Sequence, residues 1–237
     1  MCGFIREYAI WIQRKVCEDY QVEKGNLTQV AERIILTHYW TPALCYKYLE
    51  RTEWDPGSMC EEKKWIIGEF MPSVGERFEP LYCNCSQYFD ALQLSPIITD
   101  LKTKWFDYGY HSYLEDHWLE YGTCVAKFSG INNQLDYFKK SIELYDKFKI
   151  GPFISLWKIN PGDKRPVEMF DEVFERTWGK KSQPICIYDK ITRQFYLLAI
   201  RLCFDLSFNL IDCEKENIRA YPDECPKNES VVYLDDF

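Results

Sequence analysis

Histidine is scarce in this chain: only His38, His111 and His117 occur among 237 residues. No C-x-x-C pair is present, and only Cys83 and Cys85 lie close together, as C-x-C. Zinc sites usually draw on Cys and His at short, regular spacings, and a separation of six between His111 and His117 is poor helical ligand geometry. The sequence therefore predicts no metal site, and we expect no cofactor.

Long basic and long apolar runs are also missing. No run of Lys and Arg exceeds two residues, and the formal net charge is −8. Proteins that hold nucleic acid through phosphate contacts usually concentrate Lys and Arg on one face. DNA is therefore not an expected partner, and RNA is disfavoured unless the fold creates a local basic cleft. No segment approaches the ~18 consecutive apolar residues of a membrane span.

Cysteine, by contrast, is abundant, with eleven copies at mostly wide spacings. Such spacings suit disulfides, which form in oxidising compartments. N-glycosylation acceptor triplets at Asn26, Asn84 and Asn228 agree with that route. We expect a secreted, extracellular glycoprotein. The first residues, Met1 to Cys17, are interrupted by charges and lack the apolar stretch of a signal peptide, so the signal has been removed or export is different.

Hydrophobic residues make up 46% of the chain and aromatic residues 17%, enough for a substantial core. No repeat or Pro/Gly/Ser-rich linker divides the sequence, which predicts one domain. Apolar periodicity predicts strands at both ends and helices in the middle, the pattern of an α+β fold. The expected strands are 33–40, 63–67, 194–205 and 208–211, the last two as a hairpin, and the expected helices are 90–105 and 132–148.

Three segments carry distinctive residue combinations, and they read IILTHYWTPALC at 34–45, WIIGEFMPS at 65–73 and YLEDHWLEYGTC at 113–124. In order and separation they resemble the ribonuclease T2 family. That family has a first core strand running through Trp, Pro and Cys, a Trp/Phe-x-Ile-His-Gly-Leu-Trp-Pro motif, and an aromatic-Trp-x-His-Glu-Trp-x-Lys-His-Gly-Thr-Cys motif. Trp118 with Gly122-Thr123-Cys124 is the most specific part. Segments 202–205 and 211–213 resemble the closing hairpin.

The resemblance implies the overall architecture. We expect a ribonuclease T2-like α+β domain over residues 28–226, with a central antiparallel sheet flanked by helices. Residues 1–27 would be an N-terminal extension, and 227–237 a C-terminal tail. The resemblance also implies four disulfides, which are Cys45–Cys60, Cys83–Cys124, Cys186–Cys225 and Cys203–Cys213. Cys2, Cys17 and Cys85 remain, and Cys17–Cys85 is a candidate fifth bridge.

The same resemblance bears on catalysis. Family members cleave RNA by attack of a ribose 2′-hydroxyl on the adjacent phosphorus, which requires a base, an acid and cations near the phosphate. Two of the three segments carry the catalytic residues in the family, and they are called the first motif (65–73) and the second motif (113–124). The histidine of the first motif corresponds to Gly68. The His, Glu, Lys and final His of the second motif correspond to Asp116, His117, Glu120 and Tyr121. All five positions differ, which predicts the loss of specific ribonuclease activity.

Several other residues are candidates for the site. Glu115, Asp116 and Glu120 are expected to make the former cleft anionic. The candidate substrate-binding residues are His38, Tyr39, Trp40 and His117. His38 could instead be a core residue, Tyr39 and Trp40 could stack on bases or belong to the core, and His117 could be a lone phosphate contact.

Three functions are consistent with these residues. The leading hypothesis is a secreted binding or effector pseudoenzyme on the ribonuclease T2 scaffold, with a protein, receptor or small ligand as its partner. The second is a weakly active endoribonuclease or a non-cleaving RNA-binding protein. The third is a storage or structural protein. A scaffold alone does not choose among them, because function resides in sites.

Overall fold

The computed structural model describes residues 2–24, 31–49, 60–74, 81–105, 112–213 and 225–236. Within these ranges the middle of the chain is helical and most strands lie before and after it, which confirms the α+β class. They are α1 Cys2–Lys24, β1 Arg33–Trp40, α2 Thr41–Leu49, β2 Trp65–Ser73, a 3₁₀ helix Ala91–Ile97, α3 Ile98–Lys104, α4 Ser112–His117, a π-helical turn Trp118–Gly122, α5 Thr123–Ser129, α6 Gln134–Lys147, α7 Ile150–Leu156, β3 Lys164–Pro166, α8 Val167–Trp178, β4 Gln183–Asp189, β5 Gln194–Phe204, β6 Leu210–Ile211 and β7 Ser230–Val232.

The strands form one seven-stranded sheet in the order β2-β1-β5-β7-β3, and β4 and β6 also pair with β5. The pairs between named strands are antiparallel except β5 with β7, which is parallel. The sheet is therefore mixed rather than wholly antiparallel as expected. The predicted hairpin of residues 194–205 and 208–211 is confirmed as β5 and β6.

Strand β1 lies at the centre of the fold and is buried along its whole length. A continuous run of branched and aromatic residues suits a strand that is covered on both faces. It pairs with β2 with one irregularity: Thr37 lies opposite Glu69 and His38 lies opposite Ile67. Gly68 is thus an extra residue in β2, a β-bulge of the kind that re-aims neighbouring side chains.

Helix α6 confirms the predicted amphipathic helix of residues 132–148. The Asn133 side chain caps its first turn by accepting a hydrogen bond from the Asp136 backbone N–H at 3.0 Å. Phe138 and Ile142 on the predicted apolar face are buried. The hydroxyl of Tyr137 donates to the Phe70 carbonyl, which joins the helix to β2.

The predicted helix at 90–105 is divided in two. Residues Ala91–Ile97 form the 3₁₀ helix, which contains Pro96, and α3 follows from Ile98. Proline has no backbone N–H to donate, so an uninterrupted α-helix through this position is disfavoured. The predicted strand at 63–67 starts later, at Trp65, and extends to Ser73.

Five disulfides link the described elements, with Cα–Cα distances of 4.7 to 5.9 Å. They include the four pairs that the resemblance implies and the candidate fifth pair. The bridges are Cys17–Cys85, Cys45–Cys60, Cys83–Cys124, Cys186–Cys225 and Cys203–Cys213.

Both chain ends differ from the expected extension and tail. Residues Ser230–Val232 form β7 inside the sheet, and Val231 and Tyr233 are buried in the core. The expected C-terminal tail was wrong for these residues, because their apolar side chains complete the core beside β5. The N-terminal residues form α1, which a disulfide holds against the domain. In the described ranges, no helix is both long and apolar enough to span a membrane.

Candidate active site

A helical stretch from Ser112 to Ser129 carries the second motif. It contains a π-helical turn, Trp118–Gly122, between α4 and α5. Such turns are rare and are frequently found at functional sites. A Cβ atom on Gly122 would lie 2.4 Å from a ring carbon of Trp118, so only glycine permits this packing. The Trp118–Gly122 combination therefore has a structural role that does not depend on catalysis.

The ring of Tyr39 occupies the space beside Gly68. A Cβ atom on Gly68 would lie 2.0 Å from both Cδ2 and Cε2 of Tyr39, closer than real side-chain contacts allow. Tyr39 is 3% exposed. No larger side chain therefore fits at position 68 while the tyrosine ring stays where it is. This is the position at which the resemblance expects a histidine.

Glu69 holds that ring in place from the next position of β2. The Tyr39 hydroxyl donates to Glu69 Oε1 and the Thr37 hydroxyl donates to Oε2, each at 2.9 Å. The carboxylate is 7% exposed, so these two donors replace much of its lost hydration. Burial, with a smaller contribution from the Glu69 charge, raises the pKa of Tyr137 well above its usual value. Position 69 thus contributes a buried acidic side chain with two hydroxyl donors.

His117 lies inside the protein among aromatic rings. It is 4% exposed, and its ring centroid lies 4.4 Å from that of Tyr113, 5.3 Å from Tyr121 and 5.8 Å from Trp105. Burial lowers the pKa of His117 to about 3. The expectation that His117 contacts substrate is therefore corrected for this conformation, because the imidazole is neutral and shielded from solvent.

His38 is also buried, but it has a different neighbour. It is 0% exposed and stacks on Tyr145 with 5.2 Å between ring centroids. Neither ring nitrogen has a hydrogen-bond partner within the described ranges, and burial lowers the pKa of His38 to about 3. The core alternative fits His38, and the substrate-binding expectation does not. The two described histidines share no ring neighbour, and His111 lies outside the described residues.

The aromatic candidates Tyr39 and Trp40 are likewise core residues. Trp40 is 4% exposed and its Nε1–H donates to the Leu234 carbonyl at 2.6 Å. Its ring packs against Trp65 and Tyr233, with centroids 5.5 and 4.7 Å away. A buried ring whose Nε1–H already has an acceptor is not open for base stacking. The expectation that Tyr39 and Trp40 contact bases is corrected accordingly.

Carboxylates, rather than imidazoles, lie towards the surface of the second motif. Burial raises the pKa values of Glu115, Asp116 and Glu120, and the Asp116 charge adds to the effect on Glu115 and Glu120. The Tyr82 hydroxyl donates to Glu120 Oε1 at 3.0 Å. A group of carboxylates repels phosphate whenever it is ionised, and the anionic character of the former cleft stays a prediction.

Helix α1 covers part of this motif, which the sequence did not predict. Gln13 Nε2 donates to Glu115 Oε1 at 2.7 Å, and Gln13 Oε1 accepts from the Phe89 backbone N–H at 3.1 Å. Gln21 Nε2 donates to the Tyr82 carbonyl at 2.8 Å. The spacing of Cys17 and Cys85 was the one available signal. The second motif is thus partly enclosed by the N-terminal helix.

The remaining candidates lie at the surface or outside the described residues. Asn84 and Asn228 are exposed, whereas Asn26 falls outside the described ranges. Glycosylation at these three positions stays a prediction. No group of three or more His, Cys, Asp or Glu side chains in the described part of the chain is arranged to hold a metal ion.

Comparison with known proteins places this site in context. The family model described as Ribonuclease T2 family matches residues 31–213. A Danio rerio protein named Ribonuclease T2 is 27% identical over 199 residues, covering 82% of this chain and 78% of the relative. The structure of human RNase T2 superposes with a TM-score of 0.69 at 22% identity, covering 86% of this chain and 98% of that one. The structure of ribonuclease MC1 from bitter gourd seeds superposes with a TM-score of 0.71 at 20% identity, covering 85% of this chain and 100% of that one.

Proposed function

The chain belongs to the ribonuclease T2 family, and on that premise we propose that it is a secreted binding protein that has lost ribonuclease activity. One observation carries the proposal: the Tyr39 ring lies where a side chain at position 68 would have to stand. Glycine therefore replaces the first catalytic histidine, and the Tyr39 ring fills the space that the histidine side chain would need. Reversal of that replacement requires a second change at Tyr39.

The chemistry of the other positions supports the same conclusion. Cleavage needs one group to remove the 2′ proton and another to protonate the departing 5′ oxygen, and each supplies about 10²–10⁴-fold in rate. Glycine at position 68 transfers no proton. Asp116 and Glu120 place negative charge where the family has a histidine and a lysine. Loss of both proton-transfer groups and of the cation leaves little of the rate enhancement.

His117 does not supply the missing pair. A single buried imidazole with a pKa of about 3 is neutral at physiological pH and remains so in an acidic compartment. Among the described residues, its ring neighbours include no second histidine. A general acid and a general base are both required, so His117 alone is insufficient.

Secretion rests on the disulfides. Five bridges within one chain are typical of proteins that mature in an oxidising compartment. The exposed acceptor residues Asn84 and Asn228 are available for N-glycosylation. The proposed partner is a protein, a receptor or a small ligand, because the net charge of −8 and the carboxylates of the second motif disfavour RNA.

The test is to incubate the pure protein with polyuridylate, beside an active relative as positive control. We expect no cyclic-phosphate products above buffer and no salt-sensitive RNA binding. Cleavage that disappears in His117→Ala would replace the proposal with a weakened enzyme. Salt-sensitive binding without cleavage would replace it with an RNA-binding protein.

A further inference from the structure

The outer face of helix α1 exposes several large apolar side chains. Ile12, Val16 and Val22 are 42%, 48% and 83% exposed, and Trp11 is 58% exposed. Four of the ten large hydrophobic side chains exposed in the described ranges belong to this one helix. Clustered apolar exposure of this kind marks an interaction surface more often than scattered single residues do.

The inner face of the same helix is already occupied, which fixes the direction of the outer face. Cys17 is 2% exposed and bonded to Cys85, and Gln13 is 8% exposed and hydrogen-bonded at both ends of its amide. The helix therefore cannot rotate to bury Ile12 and Val16 against its own domain while these contacts persist.

Charged residues lie between the apolar ones and form pairs along the helix. Lys15 Nζ lies 2.7 Å from Asp19 Oδ1, and both side chains are more than half exposed. Two pairs of exposed residues are placed symmetrically about position 17: Lys15 and Asp19 are each two residues away from it, and Ile12 and Val22 are each five residues away.

This symmetry suits an antiparallel pair of identical helices. In such a pair, two residues that are equally far from the two-fold axis lie opposite each other. With the axis at the level of residue 17, Ile12 lies opposite Val22 of the second copy. Lys15 then lies opposite Asp19 of the second copy, so apolar meets apolar and cation meets anion.

We propose that the outer face of α1 binds the same face of a second copy of this chain, in an antiparallel arrangement that forms a symmetric dimer. A lipid surface suits this face less well, because Asp19 lies on it and the whole chain carries a charge of −8. The inference does not depend on the loss of catalysis.

The test is the dissociation constant of the dimer, measured by sedimentation equilibrium on the intact, disulfide-linked protein. We expect a dimer that Ile12→Glu dissociates. Lys15→Asp or Asp19→Lys alone sets like charges opposite each other and should weaken the dimer at least about tenfold. The double variant K15D/D19K exchanges the charges and should restore it.

Arg14→Glu is the matched control. It breaks an equivalent pair on the same helix, Arg14 with Glu18, but points about 100° away from Lys15 around the axis. We expect it to leave the dimer unchanged, and circular dichroism of every variant confirms that α1 is still folded. A monomer at all concentrations would overturn the proposal, as would failure of K15D/D19K to restore the dimer. Binding of the monomer to phospholipid vesicles in place of self-association would overturn it as well.

Discussion

Replacement of Gly68 by alanine tests the contact that carries the functional proposal. The new Cβ atom would lie 2.0 Å from two ring carbons of Tyr39, a ring held at its hydroxyl by Glu69. Both residues are buried, so the ring can move only by displacing its neighbours. Overpacking of this kind costs about 1–3 kcal/mol. If the ring moves, the buried Glu69 carboxylate loses a donor, at a further cost of about 1–3 kcal/mol.

We therefore expect Gly68→Ala to lower the free energy of unfolding by about 2–6 kcal/mol, measured by urea denaturation of the oxidised protein. Gly151→Ala is the matched control. Its Cβ atom would also approach an aromatic ring, that of Trp65, but at 3.2 Å. Gly151 lies in α7, where alanine is the better helix former by about 1 kcal/mol. We therefore expect Gly151→Ala to lower the free energy of unfolding by at least about 2 kcal/mol less than Gly68→Ala does.

A double-mutant cycle isolates the contact itself. Tyr39→Leu removes the ring, so alanine at position 68 should then fit. We expect the double variant Y39L/G68A to lose at least about 2 kcal/mol less than the sum of the two single losses. Additive losses, or a loss below about 0.5 kcal/mol for Gly68→Ala, would refute the claim that the ring excludes a side chain here.

Two further predictions concern stability. In the folded state the pKa of His38 is about 3, against 6.5 ordinarily, so as pH falls below 6.5 the unfolded chain takes up a proton that the folded chain does not. The contribution of His38 to the free energy of unfolding is therefore highest above pH 6.5 and decreases as the pH falls below that value. In His38→Leu, the decrease in the free energy of unfolding between pH 7 and pH 5 should be smaller by about 2 kcal/mol. An equal decrease in the variant and the natural protein would show that His38 is not a buried neutral imidazole. The free energy of unfolding of the double variant C17S/C85S should be lower by about 4 kcal/mol, as expected for a bridge across 68 residues, and α1 should become accessible to proteases. An unchanged protease pattern would show that α1 stays bound without the bridge.

The sequence predicted those elements whose own residue pattern is sufficient to identify them. The apolar run of β1, the amphipathic pattern of α6 and the β5–β6 hairpin were all predicted from local periodicity. Four of the five cysteine pairs followed from the resemblance, because each of them joins elements whose order the family shares, and Cys17–Cys85 was a candidate among the cysteines that remained. The positions of the altered motif residues were also identified in this way.

What could not be predicted depends on contacts between distant residues. The bulge at Gly68 shifts the register between β1 and β2, and periodicity within either strand does not reveal it. The fit of Tyr39 beside Gly68 follows from that shift. Strand β7 has only three residues, too few for an alternating pattern, and its parallel pairing with β5 is a tertiary contact.

For a related reason, the sequence left open whether His38 and Trp40 are buried, and it did not predict the burial of His117. Polar and aromatic residues in a strand or helix have the same local pattern whether they line a cleft or complete a core. Only the packing of α6 and of the helical turn at Trp118 against the sheet decides between the two. The dense aromatic composition was the available signal, because so many rings must pack against one another.

The most direct measurement is the rate at which excess protein cleaves a defined uridine-containing dinucleotide in the presence of a metal chelator, with cyclic-phosphate product quantified by mass spectrometry. We predict a rate equal to that of buffer alone, for the natural protein and for His117→Ala alike. A metal-independent rate that follows the protein through successive purification steps, and that is lost in His117→Ala, would contradict it.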